Sequence, residues 1–202
     1  MVPGTKPTIG RAGGRAANPQ PEEHIVTVVL QPISTPEQQE QLARLAAQIW
    51  NEYWPALIGQ AQTTYMVERF QSLPAIQRDM AQNAYEYWFV LAEEAGERRT
   101  VGFTGGHEEP QTNRYFISKV YLLAEERGKG YASAIIRFYS ELCRQRGLAA
   151  MYLTVNKGNE LGIRAYKGNG FEIVDAVQTD IGQGFVMDDY IMEKQVSGVD
   201  PR

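Results

Sequence analysis

The residues with the clearest chemical potential form a glycine-rich turn in the middle of the chain. In residues 120–132, VYLLAEERGKGYA, an apolar, strand-like run leads into a basic turn that contains Gly128 and Gly130, and a helical pattern follows at once. Glycine lets the backbone turn tightly and leaves its N–H groups uncovered. Because the positive end of a helix dipole lies behind these groups, the turn is expected to bind an anion, most simply a phosphate.

The spacing within this turn excludes two common phosphate-binding motifs. A Walker A loop requires Lys and then Ser or Thr after its last glycine, whereas Tyr131 follows Gly130. A dinucleotide-binding fingerprint requires a third glycine three residues after Gly130, where Ser133 stands. Two glycines alone could also do no more than shape a strand-to-helix connection. The segment from Arg127 to Ala132 does, however, fit the pattern Q/R-x-x-G-x-G/A at every defined position.

A second motif lies downstream, where the segment NELGIRAYKGNGF begins at Asn159 and includes Tyr166. Together the two motifs resemble the GCN5-related N-acetyltransferase (GNAT) superfamily, whose members bind the pyrophosphate of acetyl-coenzyme A on the glycine turn and share an N-x-x-A-x-x-x-Y-x-x-x-G-F segment. Gly162 stands where alanine is usual, which loosens a helix without removing a chemical group. The resemblance covers roughly residues 24 to 196.

The resemblance implies roles for the two polar residues of the second motif. An amine with a pKa near 10 must lose a proton before it attacks a thioester, and the departing thiolate must gain a proton or be stabilised. Tyr166, a phenol that is protonated at pH 7, is expected to be the catalytic general acid to the sulfur, with a packing role as the alternative. Asn159 is expected to hydrogen-bond the pantetheine arm, to cap its helix, or to do both.

The strand before the turn and two basic residues complete the coenzyme site that the resemblance implies. Val120, Tyr121 and Leu122 are expected to offer backbone groups to the pantetheine amides as an added strand would, because in the family a bulge splays this strand from the next. Arg127 and Lys129 bring positive charge near the phosphates, although a solvated loop cation explains Lys129 equally well. The remaining expected coenzyme contacts are Gly128, Gly130, Tyr131, Ala132 and Asn159.

The sequence leaves the general base open. In relatives an acidic residue or histidine, often on the central strands, accepts the proton of the amine through water. His107 and Glu108 are the nearest candidates by position, but residues 107–110 also fit a hairpin turn, and neither candidate joins the predicted catalytic set. Tyr53 and Trp54 are expected on the acceptor side, where an aromatic pair could equally be core.

Composition limits the class of protein. The 202 residues suit one substantial domain, and the formal net charge is −4. A single cysteine, Cys143, on the apolar face of a predicted helix, excludes an internal disulfide and indicates packing rather than a thiol nucleophile. With two histidines and no apolar run of ~18 to 20 residues, the chain is expected to be metal-free, soluble and cytoplasmic, without a membrane partner.

The first 21 residues differ from the rest. They contain four Gly, four Pro and three basic residues but no acid, which predicts a flexible tail ahead of a GNAT domain at residues 22–202. Without the tail the chain has 17 basic and 24 acidic residues, a net charge of −7. Such a charge disfavours nucleic acid as a partner and suits cationic amines.

The order of elements predicts an α+β fold in one domain, with a mixed, mostly antiparallel sheet of about six or seven strands and helices on both faces. Helices are expected from Pro36 to Trp54, from about Ala61 to Ser72, after Pro74, and at Tyr131–Arg146 and Glu160–Lys167. Strands are expected at His24–Leu30, Tyr85–Glu93, Thr100–Glu108, Arg114–Leu122, Ala149–Val155, Phe171–Val177 and Phe185–Gln195.

The leading functional hypothesis is direct acetyl transfer from acetyl-CoA to a primary amine within a ternary complex. Residues 118–121, 59–72 and 190–194 resemble bacterial small-amine acetyltransferases, polyamine-acetylating ones among them. The alternatives are acetylation of a protein N-terminus or lysine, and a non-catalytic acyl-CoA sensor, which the retention of Tyr166 disfavours. A homodimer is possible by analogy with relatives alone.

Overall fold

A seven-stranded sheet runs through residues 27–196, the part of the chain that this computed structural model describes. The expected tail, and the first three residues of the expected first strand, lie outside the described residues. The strands are β1 Thr27–Pro32, β2 Glu86–Glu94, β3 Glu97–Glu109, β4 Arg114–Leu122, β5 Ala150–Asn156, β6 Glu172–Gly182 and β7 Phe185–Gln195. The helices are α1 Pro36–Tyr53, α2 Pro55–Ile58, α3 Gln60–Met66, α4 Leu73–Gln82, α5 Tyr131–Arg146 and α6 Glu160–Gly168.

The sheet is mixed and mostly antiparallel, as expected. Its strand order is β1-β2-β3-β4-β5-β7-β6, and the only parallel neighbours are β4 and β5. Successive residues of β2 alternate between two cores, because side chains of a strand point to opposite faces. Trp88 and Val90 pack with α5, whereas Tyr87 and Phe89 pack with α1. Helices therefore cover both faces, and the predicted fold class is confirmed.

Helix α1 begins at the capping box that the sequence predicts. The Thr35 hydroxyl accepts a hydrogen bond from the Gln38 amide at 3.3 Å, and the Gln38 side chain accepts one from the Thr35 amide at 3.0 Å. The helix ends at Tyr53, and Pro55 starts the short helix α2 where its missing N–H costs nothing. The second predicted helix is divided into α3 and a π-helical segment, Val67–Gln71.

Strands β4 and β5 separate after only three paired positions. Arg114, Tyr115 and Phe116 pair with the start of β5, and the two strands then diverge. In the β3–β4 ladder the register shifts at Ser118, which stands opposite no residue of β3 and forms a bulge. This bulge reverses the alternation of side chains, so that Lys119 follows it onto the face covered by α1 and α4.

No helix within residues 27–196 is long and apolar enough to cross a membrane.

Candidate active site

A cavity of about 720 Å³ opens where β4 and β5 diverge. One part, here the coenzyme half, is lined by β4, the glycine turn 127–130, the start of α5, and α6. The other part, here the acceptor half, is lined by the end of α1, by α3, the π-helical segment and α4, and by β7. The cavity brings together ten of the eleven predicted site residues: Val120, Tyr121, Leu122, Arg127, Gly128, Gly130, Tyr131, Ala132, Asn159 and Tyr166.

The glycine turn exposes backbone rather than side chains to the coenzyme half. Gly128 has φ +77° and Gly130 has φ +85°, a left-handed conformation that glycine adopts without strain. A Cβ placed on either residue would meet nothing within 4 Å, so there is room for a ligand against this backbone. Gly130 precedes α5 without a side-chain cap, which leaves the first N–H groups of the helix to a ligand. The turn therefore has the geometry of an anion site, and its contact with the phosphates of coenzyme A stays a prediction.

The two basic residues of the turn have different surroundings. Arg127 lines the cavity, but its guanidinium donates two hydrogen bonds to the Leu122 carbonyl, at 3.2 and 3.1 Å. These hydrogen bonds occupy the Leu122 carbonyl, and a contact of the other backbone groups of residues 120–122 with the pantetheine stays a prediction. The Lys129 ammonium lies 3.1 Å from Glu126, outside the cavity lining. These contacts show how both cations hold the loop in shape, and a contact of Lys129 with the phosphates stays a prediction.

The buried Glu126 carboxylate binds the loop to β3. It accepts hydrogen bonds from Lys129 and from Arg99, whose guanidinium also reaches the Tyr131 hydroxyl at 3.4 Å. Desolvation raises the pKa of Glu126, but the hydrogen bonds from the two cations outweigh it, so the pKa is lowered and the carboxylate stays charged.

Asn159 caps α6 and also contacts α1. Its Oδ1 accepts a hydrogen bond from the Gly162 amide at 3.0 Å and one from the Tyr53 hydroxyl at 2.8 Å. The Tyr53 ring lies 4.3 Å below the Arg127 guanidinium, so one aromatic side chain connects both motifs. The amide nitrogen of Asn159 remains as the donor for a pantetheine carbonyl, and both expected roles are compatible.

Gly162 matters more than the sequence indicated. A Cβ at this position would lie 2.8 Å from the Nδ2 atom and 3.0 Å from the Cγ atom of Asn159. An alanine would therefore push the Asn159 amide out of its place. The glycine loosens α6, as expected, but it also provides the space in which the Asn159 side chain is held.

Tyr166 of α6 lines the cavity and packs against the core beneath α5. Its ring packs edge-on against Phe171 with centroids 5.9 Å apart. Burial, and then the nearby Tyr53 hydroxyl, raise the pKa of Tyr166 above its ordinary value. The phenol thus stays protonated at every physiological pH, as a hydrogen-bond donor to a departing thiolate must.

Aromatic and apolar side chains dominate the acceptor half. Trp50 stacks on Trp54 with centroids 4.9 Å apart and lies 5.6 Å from the Tyr121 ring. Met66 and Phe70 line the same part of the cavity. Trp54 and Tyr53 were expected on the acceptor side, and both line the cavity while they also pack against neighbouring rings.

The two general-base candidates of the sequence lie outside the cavity lining. Glu108 binds Arg146 at 2.7 Å, and the His107 ring packs between Tyr85 and Phe116. Both belong to the end of β3 rather than to a hairpin turn, which follows after Glu109.

Three charged residues of the acceptor half were missed by the sequence analysis. Asp79 of α4 accepts hydrogen bonds from Tyr87 at 3.3 Å and from Asn83 at 3.1 Å. Lys119 is 9% exposed, and burial lowers its pKa to about 8. Asp189 of β7 is 7% exposed and lines the same cavity. No local motif marks any of them, because each becomes part of the cavity only through contacts between distant elements.

The structure also bears on two other expectations. Cys143 is buried, and burial raises the pKa of its thiol to about 12, which is typical of a packing residue. Within the described residues, no group of three His, Cys, Asp or Glu side chains could hold a metal ion.

Comparison with known structures finds the same fold in several acetyltransferases. The N-acetyltransferase PaiA of Thermoplasma acidophilum, solved with coenzyme A, is 21% identical at a TM-score of 0.64, over 84% of this chain and 99% of that chain. A GCN5-related N-acetyltransferase of Rhodopseudomonas palustris is 15% identical at 0.65, over 84% and 96%. A mutant spermidine N-acetyltransferase SpeG of Vibrio cholerae is 16% identical at 0.58, over 84% and 94%.

Sequence comparison identifies the family. No curated protein matches the chain significantly. The sequence profile of the Acetyltransferase (GNAT) family, however, matches residues 46–171, well over half of the chain. That span includes the glycine turn, the Asn159–Phe171 segment and most of the residues that line the cavity. The chain therefore belongs to the GNAT family and is an acyl-CoA-dependent N-acetyltransferase that uses acetyl-CoA as its cosubstrate.

Proposed function

We propose that this enzyme acetylates a small primary amine, with polyamines as the first candidates, by direct attack of the amine on acetyl-CoA in a ternary complex. The observation that carries the proposal is the continuity of one cavity from the uncapped start of α5 to the aromatic acceptor half. Both substrates can occupy such a cavity at once, which direct transfer requires.

On this proposal the coenzyme lies along β4. The N–H groups of Gly128, Gly130 and the start of α5 hold the pyrophosphate. The backbone of Val120 and Tyr121, on the part of β4 that β5 leaves unpaired, binds the pantetheine amides. The Asn159 amide nitrogen donates a further hydrogen bond. This arrangement places the thioester beyond the bulge at Ser118, where the coenzyme half meets the acceptor half.

The neutral amine then attacks the thioester carbonyl carbon. A C–N bond forms, the C–S bond breaks, and negative charge develops on the sulfur. Tyr166 donates its phenolic proton to that sulfur. It regains a proton from the nitrogen, which is positively charged after the attack and must lose one proton to become the amide. The raised pKa of Tyr166 supports this role because it keeps the phenol in the donating form.

Two features support a small cationic acceptor. The acceptor half is roofed by α1 and by the chain from α2 to α4, which leaves less room for a protein segment than an open groove would. Its tryptophan rings and the carboxylates Asp79 and Asp189 suit an ammonium group. The name of the Vibrio cholerae spermidine N-acetyltransferase is consistent with such an acceptor. Location in the cytoplasm and a homodimer stay predictions.

The test is thiol release from acetyl-CoA with a panel of polyamines, monoamines, amino acids and peptides. We expect the highest kcat/KM with a di- or polyamine and little turnover with peptides. A preference for peptide N-termini or lysines would support the protein-acetylating alternative. Tight binding of acetyl-CoA without turnover of any amine would support the sensor alternative.

A further inference from the structure

Asp189 is a largely buried residue whose carboxylate has no partner within residues 27–196. The residue is 7% exposed, no side-chain hydrogen bond or ion pair of the described residues involves its carboxylate, and its oxygens keep their contact with the cavity. Carboxylates that are buried this far are almost always paired. A position that keeps an unpaired carboxylate at the wall of a cavity therefore indicates that a ligand provides the missing partner.

The alternation of β7 directs this side chain to the acceptor half. Phe185 and Met187, four and two residues earlier, pack with Trp50 and the rest of the cluster beneath α1 and α3. Tyr190 packs on the opposite face with the α5 core. Because residues two apart share a face of a strand, Asp189 lies on the same face as Met187, under the aromatic rings of the acceptor half.

The nearby cation is already paired with a different residue. The Lys157 ammonium binds the carboxylate of Asp188, the residue next to Asp189, on the outer side of β7. The Tyr121 hydroxyl on β4 is close enough to interact with the charge of Asp189, and it also interacts with Tyr166 on α6. Asp189 is thus close to a phenol that is itself close to the proposed general acid, and within residues 27–196 no cation forms an ion pair with it, although the charge of Lys157 acts on it from beside Asp188.

Desolvation and the charge of Asp188 raise the pKa of Asp189 to about 6, although Lys157 acts in the opposite direction. The carboxylate is therefore charged at neutral pH but more basic than an exposed aspartate. A general base works best when its pKa lies near the operating pH.

We propose that Asp189 binds the ammonium group of the acceptor and takes its first proton, which gives this enzyme the general base that its sequence left open. The inference rests on the proposed function. Asp189 accepts one proton from R–NH₃⁺, the freed lone pair attacks the thioester carbon, and the second proton that nitrogen loses replaces the one that Tyr166 gives to sulfur. The proton on Asp189 then passes to solvent, so the products are the amide, coenzyme A thiol and one H⁺.

Lys119 is the competing proton acceptor in the cavity. Because its pKa is lowered to about 8, a fraction of the Lys119 side chains is neutral near pH 7 and could act as a base. At pH 7, however, most of Lys119 is a cation, which repels an ammonium substrate. Asp79 is the charge that acts on Lys119, whereas Asp188 and Lys157 act on Asp189, so different neighbours determine the charge of the two groups.

The experiment compares Asp189→Asn with Asp188→Asn, which changes the neighbouring residue in the same way. For wild type we expect kcat/KM for the amine to fall below pH 6 as Asp189 is protonated. In Asp189→Asn we expect kcat/KM at pH 7.5 to drop on the order of 100-fold. The fall of kcat/KM below pH 6, here the acid limb of the pH profile, should vanish, and the Kd of coenzyme A should stay within twofold of wild type. Asp189→Glu should keep an acid limb.

In Asp188→Asn we expect a rate within about threefold of wild type and an acid limb at lower pH. The negative charge of Asp188, which raises the pKa of Asp189, is lost, and Lys157, which lowers that pKa, no longer has Asp188 as its partner. An active wild type with an unchanged rate and acid limb in Asp189→Asn would overturn the inference and leave the proposed function intact. Loss of the limb in Lys119→Met but not in Asp189→Asn would assign the base to Lys119 instead. Absence of amine acetylation by wild type would overturn the proposed function and this inference with it.

Discussion

The two halves of the cavity are built from different parts of the polypeptide. The coenzyme half is made mainly of contiguous backbone, namely the diverging end of β4, the glycine turn and the first turn of α5, to which α6 adds side chains. Its key property is the absence of side chains from the glycine turn, because Gly128 and Gly130 have open space where a Cβ would lie. The acceptor half is made of side chains that α1, α3, α4, β4 and β7 bring together from across the chain.

This difference shows how each half should respond to mutation. A site of backbone N–H groups depends on φ and on free space, so variants there should act through geometry and change coenzyme affinity. A site of ionisable and aromatic side chains depends on a few chemical groups, so variants there should change the rate, the pH profile or stability. The following predictions test that separation.

The largest effect is expected at Tyr166, the proposed general acid. Tyr166→Phe keeps the ring against Phe171 and removes the hydroxyl, so we expect kcat to fall about 100-fold with the Kd of coenzyme A unchanged. Because the pKa of Tyr166 is raised above about 10, its loss of a proton should not limit wild-type turnover between pH 7 and 9.5. Steady-state kinetics over that range and calorimetry measure both. Wild-type turnover in the variant would reduce Tyr166 to a packing residue.

The next effect is expected at the glycine turn. Gly130→Val imposes a β-branched residue at φ +85° and fills the space against the turn, so coenzyme affinity should fall about 30-fold, or about 2 kcal/mol. Gly147→Val is the matched control, because Gly147 has φ +69° at the other end of α5 and also has open space around it. The control should lose stability but keep its affinity. Equal affinities in calorimetry would show that the phosphates do not approach Gly130.

A smaller effect, on stability, is expected at Asp189. Burial raises the pKa of this group to about 6, above the unfolded value near 3.9, so folding disfavours its charged form. Its contribution to the free energy of unfolding therefore declines as pH rises from about 4 to 6 and stays low above that. The full shift corresponds to about 3 kcal/mol, but the carboxylate keeps solvent contact through the cavity, so Asp189→Asn should be more stable than wild type by about 1.5 kcal/mol at pH 7.5 and no more stable at pH 4. Urea unfolding at the two pH values tests this, and equal stability at both would contradict the burial of an unpaired charge.

The smallest effect is expected at Gly162, and its two readouts should move in opposite directions. Gly162→Ala should stabilise the protein by up to ~1 kcal/mol through helix propensity. It should also weaken coenzyme binding about three- to fivefold, or up to ~1 kcal/mol, because the new Cβ displaces the Asn159 amide. In an Asn159→Ala background the effect on affinity should disappear while the gain in stability persists. The same loss of affinity in both backgrounds would contradict the contact.

Most of the fold and the coenzyme half could be predicted from the sequence because their determinants are local. The bounds of β4, α5 and β7 agree with the predicted ones, since each begins or ends at a capping or turn residue that the sequence displays. The positive φ of Gly128 and Gly130 follows from the one residue type that adopts it freely. Motif spacing also fixes Asn159 and Tyr166 relative to each other, because a short helix sets the distance between residues seven apart.

Only the tertiary structure determined which residues form the acceptor half and which distant residues contact Asn159 and Tyr166. The hydrogen bond from Tyr53 to Asn159 joins residues 106 positions apart. Asp189 becomes a buried, unpaired carboxylate because β7 inserts between β5 and β6 and turns one face toward α1 and α3. Burial and charge environment are sums over neighbours from many elements, so the chemistry of a carboxylate or a lysine is not a property of its local sequence. A backbone site, in contrast, is determined by a few consecutive residues.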